Sequence, residues 1–230
     1  RMLSLPPKTA EIKVSGNKLV TADGKEVWLQ GVNVPSLEWS AKGENILQSM
    51  KVALVDWKAN AVRLPVHDGF WFGTGKPPKV PPNDAEAYRK IVDDAVTMAA
   101  SQGAYLILDL HRFWMPEERD IQFWKDAAAR YKNNPAVIFD IFNEPGDRGW
   151  AIWRDGGEVK GKPKKGEPEP QAIQSVGMQA LVNAVRGTGA RNLIIAGGVG
   201  SAYDLQGILE GYALTDQSGN GIMYATHFYN

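Results

Sequence analysis

The segment FWKDAAARYKNNPAVIFDIFNEP, residues 123–145, decides the fold of this chain. It begins with an amphipathic helical pattern, turns at Asn-Asn-Pro, and continues as the short apolar run VIFDIFN at 137–143. A buried run of this length after a helix predicts a parallel β-strand. Asn143 and Glu144 follow at the carboxyl end of that strand, which is where an α/β barrel carries its chemistry.

The composition excludes several classes of protein. The 230 residues contain 26 Lys and Arg against 26 Asp and Glu, without long runs of one sign, so nothing points to nucleic acid or an anionic membrane. No apolar stretch approaches the ~20 residues that cross a bilayer. The absence of cysteine excludes disulfides, thiol nucleophiles and thiolate metal sites. The first residues, RMLSLPPK, lack the apolar core of a signal peptide.

Strand and helix patterns alternate along the chain after an N-terminal β-hairpin pattern that begins at residue 11. Six apolar runs have the length of buried parallel strands: 28–34, 60–66, 105–111, 137–143, 192–198 and 222–229. Helical patterns fill the intervals: 44–59, 84–103, 118–132, 171–187 and 203–211. In the second of these, Asp84 is the expected N-cap and Gly103 the expected stop. This alternation predicts right-handed βαβ units and a parallel sheet.

Six βα units fall short of the eight strands of a (β/α)8 TIM barrel. We therefore expect residues 1–230 to form one incomplete barrel, strands 1 to 6 with the hairpin, with strands 7 and 8 beyond the chain end. A longer polypeptide or a complementary fragment would then carry the missing strands. The loops that leave the strands are longer than those that enter them, which marks the functional face. The polar exit loop at 145–170 is predicted to be mobile in part.

Polar side chains at the strand ends are the candidate site residues: Arg63, His111, Asn143, Glu144, His227 and Tyr229. Hydrolysis of a glycosidic bond needs a carboxylic acid that protonates the leaving oxygen. Glu144, presented by a rigid strand end beside an amide, suits that role.

With these residues in place, the sequence resembles glycoside hydrolase family 5, the cellulase family of clan A. The resemblance covers nearly the whole chain through LQGVN, NAVRLPV, LILDLH, RYKNNPAVIFDIFNEP, AYDL and YATHFY. It implies retaining hydrolysis of β-glycosidic bonds in a polysaccharide such as β-glucan, outside the cell or in the periplasm, with no cofactor. An endo-acting β-1,4-glucanase is favoured. A mannanase, an exo-β-glucanase or a β-glycosidase of the family is the alternative.

The resemblance also implies roles for individual residues. Glu144 matches the general acid/base, and Asn143 matches the residue that binds the sugar 2-hydroxyl. Arg63 and Tyr229 match positions that contact the nucleophile. His111 and His227 match the histidines that hold the catalytic carboxylates. The nucleophilic glutamate of the family lies on strand seven, so residues 1–230 are expected to lack it.

Tryptophans in the exit loops are candidate platforms for sugar rings. Trp39, Trp71 and Trp114 follow strands one, two and three, and Trp150 follows strand four; loop packing is the alternative for each. Two other tryptophans fall inside helical patterns and are expected in the core: Trp57 and Trp124.

Two other functions remain open at this point, whereas a catalytic metal is disfavoured. The chain would bind carbohydrate without catalysis if it were an inactive partial barrel. An open, doubly wound nucleotide-binding fold would explain six strands, but GGVGSA at 197–202 needs a glycine where Tyr203 stands. The three histidines are spread without a metal-binding spacing, which argues against a catalytic metal.

Overall fold

The computed structural model describes residues 9–160 and 171–229. The β-strands of this part of the chain are numbered in chain order: β1 Ile12–Ser15, β2 Lys18–Thr21, β3 Glu26–Val27, β4 Gly31–Asn33, β5 Ala61–Val66, β6 Tyr105–Leu110, β7 Phe113–Trp114, β8 Val137–Asp140, β9 Glu144–Pro145, β10 Gly157–Lys160, β11 Ala172–Ser175, β12 Ile194–Gly197 and β13 Ile222–Ala225.

The helices are numbered in the same way: α1 Ile46–Lys51, α2 Asp68–Trp71, α3 Ala85–Ser101, α4 Glu118–Tyr131, α5 Trp150–Asp155, α6 Gly177–Gly187 and α7 Val199–Ala202. Two π-helical turns accompany them, Val52–Asp56 directly after α1 and Ile208–Tyr212 before β13. None of the described helices combines the length and hydropathy that a membrane span requires.

A six-stranded parallel sheet forms the centre of the fold, with its strands in the order β4-β5-β6-β8-β12-β13. All five pairings in it are parallel. The sheet is a curled half-barrel, which confirms the predicted incomplete (β/α)8 architecture with strands 1 to 6. The antiparallel sheet β1-β2-β3 is separate and confirms the N-terminal hairpin. All carboxyl ends of the parallel strands consequently lie on one rim.

The core lies mainly between the outer face of the sheet and the helices. Helix α3 shows why these residues form a helix and bury one side: its buried residues Tyr88, Val92, Ala95, Val96 and Ala99 recur at the spacing of one helical face. A smaller apolar cluster on the inner face contains Ala61, Tyr105, Ile138 and Ile195, with Ile12 of the hairpin covering it. The lower interior of the half-barrel is therefore apolar, and polar side chains are left to the upper rim.

The ends of α3 follow the sequence signals. The carboxylate of Asp84 accepts a hydrogen bond from the Ala87 amide at 3.0 Å, which satisfies an otherwise unpaired N–H of the first turn. Gly103 has a φ of +70°, a left-handed conformation that favours glycine just after a helix. Both predicted boundaries are confirmed.

The helix predicted at 171–187 is wrong over its first part. Residues Ala172–Ser175 form β11, which pairs antiparallel with β10, and the helix begins only at Gly177. Gly177 has a φ of +75°, and a Cβ there would lie 2.4 Å from the Gly156 amide nitrogen. The close approach of these two glycine backbones therefore determines where the helix starts.

The exit loop at 145–170 has more regular structure than its composition indicates. Helix α5 and strand β10 occupy much of it, and residues 161–170 of the predicted mobile segment lie outside the described residues. Trp153 of α5 is fully buried, and its indole N–H donates to the carbonyl of Gly197 at 3.0 Å. This bond attaches the loop to the end of β12.

Trp57 is 68% exposed, so the prediction that it belongs to the core is wrong, whereas Trp124 is fully buried as expected. Trp57 directly follows the π-helical turn Val52–Asp56. A π-helical turn adds a residue relative to α-helical spacing and rotates the following side chains away from the predicted face.

Candidate active site

The upper rim of the half-barrel collects the polar residues. Successive side chains of a strand alternate between its faces, so Arg63 of β5, Asp109 of β6 and Asp140 of β8 share the inner face. Glu144 starts the short strand β9, which lies just above and pairs with β7. The predicted residues from different strands therefore meet in one place.

The Glu144 carboxylate is the centre of this group. Its Oε1 atom accepts a hydrogen bond from the Tyr229 hydroxyl at 2.5 Å, and Nδ1 of His227 lies 3.0 Å from the same oxygen. The Glu144 side chain is 13% exposed. The structure thus brings together three of the predicted site residues, including the histidine expected to hold a catalytic carboxylate.

The surroundings of Glu144 determine its protonation. Burial alone would raise the pKa of this carboxyl, but the hydrogen bonds from Tyr229 and His227 outweigh burial and leave the pKa below its usual value. Glu144 is accordingly ionised near neutral pH. A proton-donating role needs a higher pKa, and a further negative charge nearby would raise it by repulsion between like charges.

Arg63 connects three strands beneath Glu144. Its Nε donates to Oδ2 of Asp140 at 2.8 Å, and its Nη2 lies 3.0 Å from Oδ2 of Asp109 and donates to Oδ1 of Asn143 at 2.9 Å. Both aspartates are buried, and burial raises the pKa of Asp140 to about 7 although Arg63 opposes this. Arg63 thus acts as an ion-pair partner inside the barrel, and its predicted contact with a nucleophile stays a prediction.

His111 stands beside this cluster. Its Nδ1 lies 2.7 Å from Oδ2 of Asp109, and its ring meets the edge of Phe113 at a centroid distance of 5.1 Å. The buried carboxylate orients the ring, which leaves Nε2 as the nitrogen free to bind other groups.

Comparison with known proteins identifies the family. The cellulase family model, glycosyl hydrolase family 5, matches residues 20–230 of the chain. The chain belongs to glycosyl hydrolase family 5.

Curated relatives of this family 5 chain are named as endoglucanases. It is 32% identical to Endoglucanase A of Butyrivibrio fibrisolvens over 149 residues, which cover 61% of the chain and 33% of that protein. It is 26% identical to Endoglucanase 5 of Pectobacterium carotovorum subsp. carotovorum over 230 residues, covering 95% and 38% respectively. The family 5 chain therefore spans about a third to two fifths of the length of these relatives.

Solved structures share its fold. The β-glucanase SdGluc5_26A of Saccharophagus degradans superposes with a TM-score of 0.71 at 24% identity, covering 96% of this chain and 62% of that one. The catalytic domain of Thermobifida fusca endoglucanase Cel5A gives a TM-score of 0.68 at 19% identity, covering 95% and 65%.

The four tryptophans expected as sugar platforms in the family 5 chain are not equivalent. Trp39 is 48% exposed, and Trp114 and Trp150 are half-buried. The guanidinium of Arg148 lies over the Trp114 ring, 4.4 Å from its centroid. Trp150 packs edge-on against the buried Trp153. These three rings stay candidates for substrate contact.

The prediction for Trp71 is wrong. Its ring is fully buried, meets Phe123 edge-on at 5.3 Å, and donates its indole N–H to Asp126 at 2.6 Å. Trp71 belongs to the one-turn helix α2, which packs against α3 and α4, so the ring turns into the core instead of towards the rim.

Sequence reasoning missed two residues near the site. Asp140 was a detectable one, since it is a carboxylate inside the apolar run VIFDIFN. Arg112, which follows His111, had no such signal, because its partners Glu117 and Asp120 become visible only in the fold. Among the described residues, no group of three or more His, Asp or Glu side chains could hold a metal ion.

Proposed function

We propose that the chain provides the acid/base half of a retaining glycosidase that hydrolyses β-glycosidic bonds in a polysaccharide. The observation that carries this proposal is Glu144, which stands on the carboxyl rim with its carboxylate held by two side chains of another strand end. Family membership and the endoglucanase names of the relatives favour an endo-acting β-1,4-glucanase. We also propose that residues 1–230 form one catalytic domain, the partial barrel expected from the sequence.

In this mechanism Glu144 donates a proton to the glycosidic oxygen as the bond breaks, and later removes a proton from the attacking water. Retention needs a second carboxylate at about 5 to 5.5 Å from the first, which attacks the anomeric carbon. Asp109 and Asp140 are buried and bound to Arg63, so neither suits that task. We assign the nucleophile to a glutamate outside residues 1–230, on a segment with strands 7 and 8. Its negative charge would also raise the pKa of Glu144.

Asn143 supports recognition of a sugar hydroxyl. Its Oδ1 accepts from Arg63, and its Nδ2 is buried and has no hydrogen-bond partner among the described residues. An amide N–H without a partner is a suitable donor to the 2-hydroxyl next to the scissile bond. The β-glucanase SdGluc5_26A has been solved in complex with cellotetraose, which favours a β-1,4-glucan.

A mannanase, an exo-β-glucanase or a β-glycosidase is the alternative with catalysis, and a partial barrel that only binds carbohydrate is the alternative without it. A polysaccharide substrate cannot enter a cell, so we propose that the protein acts outside the cell or in the periplasm.

The test uses the longer polypeptide that supplies the nucleophile, and compares the unmodified form with Glu144→Ala on β-glucan, mannan and aryl cellobiosides. If Glu144 is the acid/base, the substitution slows substrates with poor leaving groups most, and azide partly restores turnover of activated aryl cellobiosides. Glu158→Ala, on an exposed position of β10, is the matched control. Full activity of the Glu144→Ala protein on β-glucan contradicts the assignment, and saccharide binding without turnover favours the binding-only barrel.

A further inference from the structure

Arg112 lies at the base of the loop that carries Glu144, and it has no assigned role. Its side chain is only 15% exposed. Nε donates to Oδ1 of Asp120 at 3.0 Å, and Nη2 donates to Oε1 of Glu117 at 2.6 Å. A guanidinium that is buried between two carboxylates is held in one position, because those partners balance its charge and accept its hydrogen bonds.

The partners of Arg112 belong to the rigid start of α4. Asp120 is fully buried, and its Oδ2 accepts a hydrogen bond from the Glu117 amide at 2.8 Å. Glu117 and Asp120 together form a capping box, in which each side chain binds the backbone of the other. The guanidinium is therefore attached to the helix terminus and not to a loose loop.

The backbone of Arg112 in turn holds Glu144. The Glu144 amide donates to the Arg112 carbonyl at 3.1 Å, at the point where β9 pairs in parallel with β7. The neighbouring bond from the Asn143 amide to the Leu110 carbonyl, also 3.1 Å, lies one step earlier. β9 has only two residues, so few other backbone bonds fix the position of Glu144.

We propose that Arg112 is a positioning residue for Glu144: the first turn of α4 holds its guanidinium, and its carbonyl holds the Glu144 backbone so that the carboxylate meets His227 and Tyr229. The consequence for catalysis rests on the proposed function, whereas the positioning itself does not. If the link is broken, β9 moves relative to β7, and the carboxylate loses alignment with its two partners after β13.

The experiment uses the 230-residue chain and replaces Arg112 by methionine, which keeps the apolar stem and removes the charge. Amide hydrogen exchange at Glu144 should become at least about tenfold faster, since its acceptor is no longer fixed, while amides of β5 and β6 keep their protection. The pKa of the Glu144 carboxyl, followed by carbon-13 NMR, should rise towards its usual value. Arg130→Met is the matched control, because it removes an arginine of α4 itself, whose partner Asp93 lies on α3.

Two further variants keep the proposal testable if Arg112→Met does not fold. Glu117→Gln removes one charged partner of Arg112, and the Glu117 side chain is 38% exposed. It should change the exchange rate and the pKa of Glu144 in the same direction as Arg112→Met, but by less. Arg112→Lys keeps the charge but loses the two-armed geometry, and should fall between the unmodified chain and Arg112→Met. Unchanged exchange and titration in a folded Arg112→Met chain, or in both milder variants, overturns the proposal.

Activity separates this proposal from the proposed function. In the longer polypeptide that supplies the nucleophile, Arg112→Met should lower kcat/KM for substrates with poor leaving groups by about tenfold or more. The kcat/KM of dinitrophenyl glycosides should be nearly unaffected, because their leaving group needs no proton. If Glu144→Ala leaves hydrolysis intact while Arg112→Met still changes the exchange and titration of Glu144, the proposed function fails and the positioning role stands. If Glu144→Ala abolishes hydrolysis and Arg112→Met changes neither reading, only the positioning role fails.

Discussion

The Tyr229 hydroxyl donates to Glu144 at 2.5 Å although the Tyr229 residue is 78% exposed. His227, two residues earlier, approaches the same carboxylate oxygen. The backbone of Glu144, by contrast, is held from the opposite side by the segment after β6. The Glu144 carboxylate therefore depends on side chains after β13, two strands away from β8 in the sheet. Substitutions there should change its pKa.

Tyr229→Phe should raise the pKa of the Glu144 carboxyl, because the substitution removes a donor that stabilises the ionised form. A carbon-13 NMR titration of labelled glutamate measures this, with Glu144→Gln to assign the signal. Tyr203→Phe is the control, since Tyr203 is also exposed and its ring packs against Phe228. An identical titration curve in Tyr229→Phe contradicts the prediction.

The same hydrogen bonds should make stability depend on pH. The folded-state pKa of Glu144 lies below its usual value in an unfolded chain, so this group stabilises the fold at pH values above that usual pKa. The contribution is lost as the pH falls through the folded pKa. Urea unfolding of the unmodified chain and Tyr229→Phe should thus differ most near neutrality and converge in acid. A difference that grows in acid would have the wrong sign.

Arg63→Met should be strongly destabilising, by about 3 to 5 kcal/mol, because it leaves the buried Asp109 and Asp140 without their cation. The free energy of unfolding in urea measures the loss. Arg130→Met breaks an ion pair between partly exposed side chains, and should cost about 1 kcal/mol or less. Equal losses in the two variants would show that the site pairs contribute no more than a surface pair.

The tryptophans should separate into two classes. Trp71→Ala empties part of the core and should cost about 3 to 5 kcal/mol of stability. Trp39→Ala changes a half-exposed ring and should leave stability almost intact while it weakens binding of cellotetraose, followed by calorimetric titration. Intact binding in the folded Trp39→Ala chain removes Trp39 from the candidate platforms.

The sequence was sufficient for the sheet and for the central residue of the site. Apolar runs located all six parallel strands, although the edge strands β4 and β13 are less buried than the four between them. The strand-end position of Glu144 followed from the run at 137–143. Asp84 and Gly103 gave the ends of α3, because caps are local chemistry.

Orientation and partnership were beyond the sequence. The orientation of Trp71 towards the core could not be predicted, because α2 is a single turn and too short for periodicity to show which side is buried. The π-helical turn before Trp57 changes which face of the helix this side chain occupies, and no pattern in the sequence predicts such a turn. Residues 172–175 form a strand despite their helical pattern, because they pair with β10. Each of these depends on contacts between distant segments.

The guanidinium of Arg63 bridges β5, β6 and β8, and this has a consequence for how the barrel is assembled. Side chains that link three adjacent strands from the inside restrict the angles between those strands without help from ring closure. The curl of the open sheet is then an intrinsic property of its first strands. The half-barrel would then present its edge strands β4 and β13, already set at the required angle, to the strands that we propose lie outside residues 1–230.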